Sequence, residues 1–198
     1  MNTTPDPSMN AVDPAAVPRR SRTPLVLMAL VFIAPVLVAG ALVLAGWHPQ
    51  VAGEGEPILP QRNFAQEGVQ IVLEDGETWP WRDSKPRLTL LAVAGPDCAS
   101  RCMTTITHLA EARLMLNQNQ PRLRLLYVGT PPAAAESSGM YNYWQVGRDV
   151  HDGLAAFRPS EPDTVNAILV ESNGTALSLY PAGTDGANVL RDLRKVIR

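Results

Sequence analysis

The hydrophobic pattern changes three times along the chain. Residues 1–18 are rich in Pro, Asn, Thr, Ala and Asp and carry no apolar period, the pattern of a tail that buries nothing. Every residue from Leu25 to Trp47 is then apolar, glycine or proline. At about 1.5 Å per residue, a helix over residues 24–47 spans about 36 Å, more than a hydrocarbon core of about 30 Å. Pro35 lies near its middle, and Trp47 ends it where an interfacial aromatic is expected. Residues 48–62 contain Gly, Pro and Glu and read as a linker.

Beyond residue 62 the pattern breaks into short elements. GVQIVL at 68–73 predicts a strand, and Glu74-Asp75-Gly76-Glu77 a turn. RLTLLAVA at 87–94 is nearly continuous in apolar residues, as a central strand buried on both faces would be. Gly95-Pro96-Asp97 ends it. A helical period follows over 100–119, with Met103, Ile106, Leu109, Ala110, Arg113, Leu114 and Leu116 placing mostly apolar groups on one side, and Pro121 closes it. LRLLYV at 123–128 predicts a second core strand, parallel to the first through a right-handed crossover. Residues 129–163 read as irregular, with Tyr141, Tyr143 and Trp144 marking a packed segment. Residues 167–170 and 175–180 form a hairpin across Asn173-Gly174. The last helix covers 185–198, with Arg191, Arg194, Lys195 and Arg198 towards its C-terminal end.

That order predicts an α/β, thioredoxin-like domain following a single N-terminal transmembrane helix. The expected organisation is a cytoplasmic disordered tail at 1–22, the transmembrane helix at 23–47, the linker at 48–62 and a periplasmic domain at 63–198. Arg19, Arg20 and Arg22 precede the apolar run. Glu54 and Glu56 follow it, with no basic residue before Arg62. The positive-inside rule then places the N-terminus in the cytoplasm and the domain across a bacterial inner membrane. A cleaved signal peptide competes, with a small-residue site at Val51-Ala52-Gly53, but its apolar region runs to only about 7–15 residues. The net charge of −2, from 17 basic and 19 acidic residues, excludes a strongly basic nucleic-acid binder. No phosphate-cradling, serine-hydrolase or zinc-protease motif occurs.

The candidate chemistry lies in Cys98-Ala99-Ser100-Arg101-Cys102, between the first core strand and its helix. Residues four apart on a helical turn share a face, close enough for a disulfide. A helix N-terminus presents free N–H groups and a positive dipole end, which favour a thiolate. Two soft sulfurs also suit Cu(I), and Met103 adds a thioether in sequence. Three roles remain open: thiol–disulfide exchange, copper handling, or a structural bridge. In the exchange role Cys98 attacks and Cys102 resolves.

The run Ala94-Gly95-Pro96-Asp97-Cys98-Ala99-Ser100-Arg101-Cys102-Met103-Thr104-Thr105-Ile106 resembles the signature of the Sco/SenC proteins. Those are membrane-anchored, thioredoxin-like proteins that help assemble the copper site of cytochrome c oxidase. The resemblance implies a divergent member of that family, with Cys98 and Cys102 as catalytic residues or Cu(I) ligands. It implies as partner an oxidase subunit or another oxidase assembly factor, and no nucleic acid. Ala99 and Met103 stand where that family tends to have prolines. Its copper site adds a histidine shortly before the late hairpin, a place that falls at or near Asp163 here. His151, twelve residues earlier, and Met103 are the further candidate ligands; His108 is expected to face away from the thiols and His48 to lie at the membrane. The cis-proline that faces the disulfide in thioredoxins falls near Asn166. Two rival functions follow from these departures: a non-catalytic, membrane-tethered interaction module with a structural disulfide, and a general periplasmic thiol oxidoreductase. Trp79-Pro80-Trp81 reads either as a cap on the domain's apolar edge or as a partner-facing patch.

Overall fold

The computed structural model describes residues 28, 32–35, 37, 38, 41 and 55–197. The described residues before 42 are helical. Among the described residues no helix is long and apolar enough to cross a membrane. The tail at 1–22, most of the apolar run at 23–47 and residues 48–54 lie outside the described residues.

Residues 55–197 carry β1 (Glu56–Pro57), β2 (Ile71–Leu73), β3 (Leu88–Ala94), α1 (Ser100–Leu114), β4 (Leu123–Val128), β5 (Gln145–Asp149), β6 (Val165–Val170), β7 (Ala176–Tyr180) and α2 (Gly186–Val196). The strands form one mixed sheet in the order β1-β7-β6-β3-β4-β5-β2. The apolar run of β3 is continuous because both its faces are covered. Leu90, Ala92 and Ala94 point into one core, and Leu91 and Val93 into the other, with the two-residue period of a strand. The first core is roofed by Ile106, Leu109 and Ala110 of α1 and Val189, Leu190 and Leu193 of α2. The second is closed by side chains from loops, among them Phe64, Trp79, Trp81, Leu154 and Phe157.

β3, α1 and β4 form the expected parallel unit, with Val93 opposite Val128. β6 runs antiparallel to β3, with Ala94 opposite Val165. The C-terminal end of β3 therefore lies beside the start of β6. The hairpin turns at Gly174, whose φ of 91° is open to glycine and strained for other residues.

Several boundaries differ from the sequence pattern. α1 stops at Leu114 rather than 119, because Asn117 takes a left-handed φ of 51° and a 3₁₀ turn, Asn117–Arg122, follows. The stretch read as irregular contains β5, held in parallel by β4 and antiparallel by β2. Part of the stretch read as a linker is sheet: Glu56 pairs with Leu179 and Pro57 with Ser178, and the Gly55 N–H bonds Asp192 at 3.2 Å. Proline is tolerated in β1 because it is an edge strand. Trp79 and Trp81 are buried, which removes the partner-facing reading. The Trp81 indole donates to the Val69 carbonyl at 2.6 Å, and the Arg124 guanidinium stacks 4.3 Å from the Trp79 ring centre.

Candidate functional site

Both cysteines sit where β3 hands the chain to α1. Cys98 is in the connecting loop and Cys102 in the first turn of the helix. They are joined as a disulfide, with Cα atoms 5.3 Å apart. The two sulfurs differ in access. Cys102 is fully buried in the core beneath α1, whereas Cys98 is half-buried and lines a cleft of about 550 Å³. Asp97 and Ala99 line the same cleft from one side and Thr130, Pro131 and Pro132 from the other.

The start of α1 has no cap of its own. Ala99 occupies the N-cap position, and a methyl group cannot accept a hydrogen bond. The acceptor comes from across the sheet. Asp163, in the loop leading into β6, takes the Ala99 N–H at 2.6 Å and the Cys102 N–H at 3.0 Å on one carboxylate oxygen. Its other oxygen takes the Arg101 N–H at 3.0 Å. One carboxylate thus satisfies three donors of a helix start that would otherwise turn to water.

The loop is pinned there by its backbone. The Asp163 N–H donates to the Pro96 carbonyl at 3.0 Å, and the Gly95 N–H to the Thr164 carbonyl at 2.9 Å. Gly95 is required for this approach: a Cβ there would stand 2.8 Å from the Glu161 carbonyl oxygen. Asp163 itself takes a φ of 55°, a region that Asp and Asn enter more readily than other side chains. The Arg101 guanidinium bonds Glu161 and the Pro162 carbonyl, each at 3.1 Å, and lies 3.9 Å from Asp163.

The Cys102 N–H above all, then the Arg101 and Ala99 N–H groups and the Arg101 charge, hold the Asp163 carboxyl below its ordinary value of 3.8. Burial opposes this, but by less than the Cys102 bond. A carboxylate depressed on folding stabilises the fold above its unfolded pKa, and that gain is lost as pH falls through the folded value. Wild-type chain should therefore exceed Asp163→Asn in stability above pH 3.8 and lose the advantage on acidification below it. Urea midpoints of both chains from about pH 2 to 6 measure the difference, which cancels the other acidic groups.

The other sequence candidates do not converge on the sulfurs. Met103 lines a separate groove with Ile106, Met140, Tyr143 and Trp144. His151 follows β5, two strands across the sheet from β3. His108 packs against Gly186 at the start of α2, and His48 lies outside the described residues. Among the described residues, no three His, Cys, Asp or Glu side chains gather in a way that could hold a metal ion. Asn166, at the place expected for a cis-proline, bridges the Phe157 carbonyl and the Ala182 N–H at 2.8 Å each. The capping role of Asp163 was not read from the sequence; its one local signal is an alanine at a helix N-cap.

A family model described as "Transmembrane-like, thioredoxin-like, C-terminal domain" matches residues 88–198. No curated protein sequence matches the chain. Among solved structures, peroxiredoxin Q of Xanthomonas campestris superposes with a TM-score of 0.50 at 14% identity, over 72% of this chain and 100% of that one. Copper-bound ScoI of Arabidopsis thaliana gives 0.46 at 12% identity, over 72% and 99%. A SCO1/SenC family lipoprotein of Bacillus anthracis gives 0.47 at 13%, over 65% and 92%. At such identities the likeness is one of fold.

Proposed function

The chain belongs to the transmembrane-like, thioredoxin-like, C-terminal domain family through residues 88–198, and from that premise we propose a membrane-anchored assembly factor for cytochrome c oxidase. It acts by thiol–disulfide exchange on the cysteines of an oxidase copper site. The observation that carries this reading is the asymmetry of the pair, a half-buried Cys98 bonded to a fully buried Cys102. An exchange site needs one sulfur that a partner can reach and a second that waits behind it.

In the reduced chain the Cys98 thiolate attacks one sulfur of a partner disulfide. The bond from Cys98 to that sulfur forms, the partner's S–S bond breaks, and the leaving sulfur takes a proton. Cys102, as thiolate, then attacks Cys98, releases the second partner thiol and closes the Cys98–Cys102 bond. Two electrons pass to the partner, and an external dithiol donor restores the reduced chain. The cleft between Cys98 and Pro131-Pro132 is the approach for the partner, since Cys98 lines that cleft and not the one beside Asp163 and Glu161.

The apolar run at 23–47 and its arginine flank support an inner-membrane anchor with the domain in the periplasm. The C-x3-C run at 94–106 supports the oxidase as client. Delivery of Cu(I) as cargo is the second reading, favoured by two sulfurs held together where β3 meets α1. Cys98 and Cys102 would be its ligands, Met103 and His151 lying elsewhere.

The test is oxidase copper-site assembly in cells carrying Cys98→Ser or Cys102→Ser full-length chain, with Cu(I) titration of the reduced wild-type protein beside it. Loss of assembly in both variants without Cu(I) uptake by wild type is expected. Uptake dependent on both cysteines moves the role to delivery. Normal assembly by a cysteine-free chain leaves a tethered interaction module, and turnover on unrelated disulfides a general oxidoreductase.

A further inference from the structure

The helix start beneath the disulfide does not have the electrostatics that a C-x3-C motif leads one to expect. Free N–H groups at a helix N-terminus stabilise a cysteine thiolate and so stabilise the reduced form of a dithiol. Here those donors are occupied. The N–H groups of Ala99, Arg101 and Cys102 all point at Asp163, at 2.6, 3.0 and 3.0 Å. Ala99 directly follows Cys98, so the carboxylate takes the backbone N–H next in sequence after the cysteine that exchange would use. The neighbouring charges do not offset it. Arg101 is shared between Glu161 and Asp163, and Asp97 adds another carboxylate beside Cys98.

We propose that Asp163 is the positioning residue that sets the redox poise of the Cys98–Cys102 couple, keeping it reducing by setting a carboxylate charge against the helix N–H groups that would otherwise favour a Cys98 thiolate. The inference rests on the exchange reading for its purpose, but not for its measurement. On reduction, two electrons and one proton open the disulfide to a Cys102 thiol and a Cys98 thiolate, which then meets a carboxylate instead of free donors. The reduced form is raised in energy, so the chain gives its electrons readily to a partner disulfide. The poise comes from residues 64 positions apart in sequence, on two elements that the pairing of β3 with β6 holds together.

The experiment equilibrates full-length wild-type and Asp163→Asn chain with dithiothreitol redox buffers at pH 7, and reads the oxidised fraction by thiol alkylation and mass. Asparagine tolerates the positive φ and keeps a neutral acceptor. The expected result is at least a tenfold shift of the equilibrium towards the reduced form in Asp163→Asn, a couple more oxidising by about 30 mV. Equal constants within threefold, or a shift the other way, overturn the proposal.

Because loss of the cap weakens the helix start, Ala99→Ser/Asp163→Asn is measured against Ala99→Ser. Serine supplies a neutral N-cap. A mere structural cap predicts that the double variant recovers both stability and wild-type poise; the proposal predicts recovered stability with the shifted poise retained. A chain that shows the shift but reduces no partner disulfide sinks the exchange reading and keeps the role of Asp163. Partner reduction with an unmoved equilibrium does the reverse.

Discussion

Cys102→Ser chain is expected to accumulate as a covalent adduct with its partner, while Cys98→Ser chain forms none. The half-buried Cys98 retains its route to a partner disulfide through the cleft beside Pro131 and Pro132. The sulfur that would release the mixed disulfide is the fully buried one, and its removal leaves the first step intact while stopping the second. Non-reducing electrophoresis of membranes, with mass identification of the adduct, reads the outcome. Adducts with Cys98→Ser instead would reverse the two roles, and adducts with neither would leave a static bridge. Serine places a hydroxyl in an apolar core, so Cys102→Ala serves as the companion variant. Opening this bridge costs little otherwise. A loop closed over five residues contributes about 2 kcal/mol on the chain-entropy account, less than a long loop would. Loss of the adduct is therefore separable from loss of the fold.

What could be foreseen in the sequence depended on whether the cause was local. β3 and β4 announce themselves because strands covered on both faces must be apolar throughout, and the α1 period between them is long enough to show. The hairpin is written in Asn173-Gly174. The cysteine pair at the head of α1 follows from these elements alone. β5 escaped because Gln145–Asp149 holds only one apolar side chain, Val146, and is a strand by virtue of its backbone partners in β4 and β2. β1 is two residues long and includes a proline, and only its pairing with β7 makes it sheet. The tryptophans at 79 and 81 left two readings, since a buried cap and an exposed patch share one composition.

Asp163 is the instructive omission. The expectation of a histidine at that place, and of a proline near Asn166, registers only that neither is there. The physical question is which group satisfies the donors above Ala99, and a sequence leaves that partner unnamed when it lies 64 residues away. The chemistry of the C-x3-C run thus belongs to two segments, and half of it is invisible in the motif.

Phe64→Ala is expected to cost about 3–5 kcal/mol, a large share of the roughly 5–15 kcal/mol that holds a domain together. Phe64 is fully buried, with its ring 5.1 Å from that of Trp81 and 5.6 Å from that of Phe157. Its backbone is tied as firmly. The Phe64 N–H bonds the Gly174 carbonyl at 2.9 Å, and the Val69 N–H bonds the Phe64 carbonyl at 3.0 Å. The neighbouring Asn63 donates to Thr175 at 2.9 Å. The side chain cannot be replaced by loop collapse, because the loop is already clamped over the β6–β7 turn, and the cavity term should survive. Truncation at the exposed Tyr141 should move stability by no more than about 0.5 kcal/mol. Urea melts of the full chain measure both, with unchanged slope showing that the loss lies in the native state. The layer that Phe64 closes lies on the opposite side of the sheet from the core that holds Cys102. In the folded fraction the Cys98–Cys102 equilibrium should accordingly remain at its wild-type value. If it moves with stability, the two faces of the sheet are coupled, and the poise of the disulfide is not set at the helix start alone.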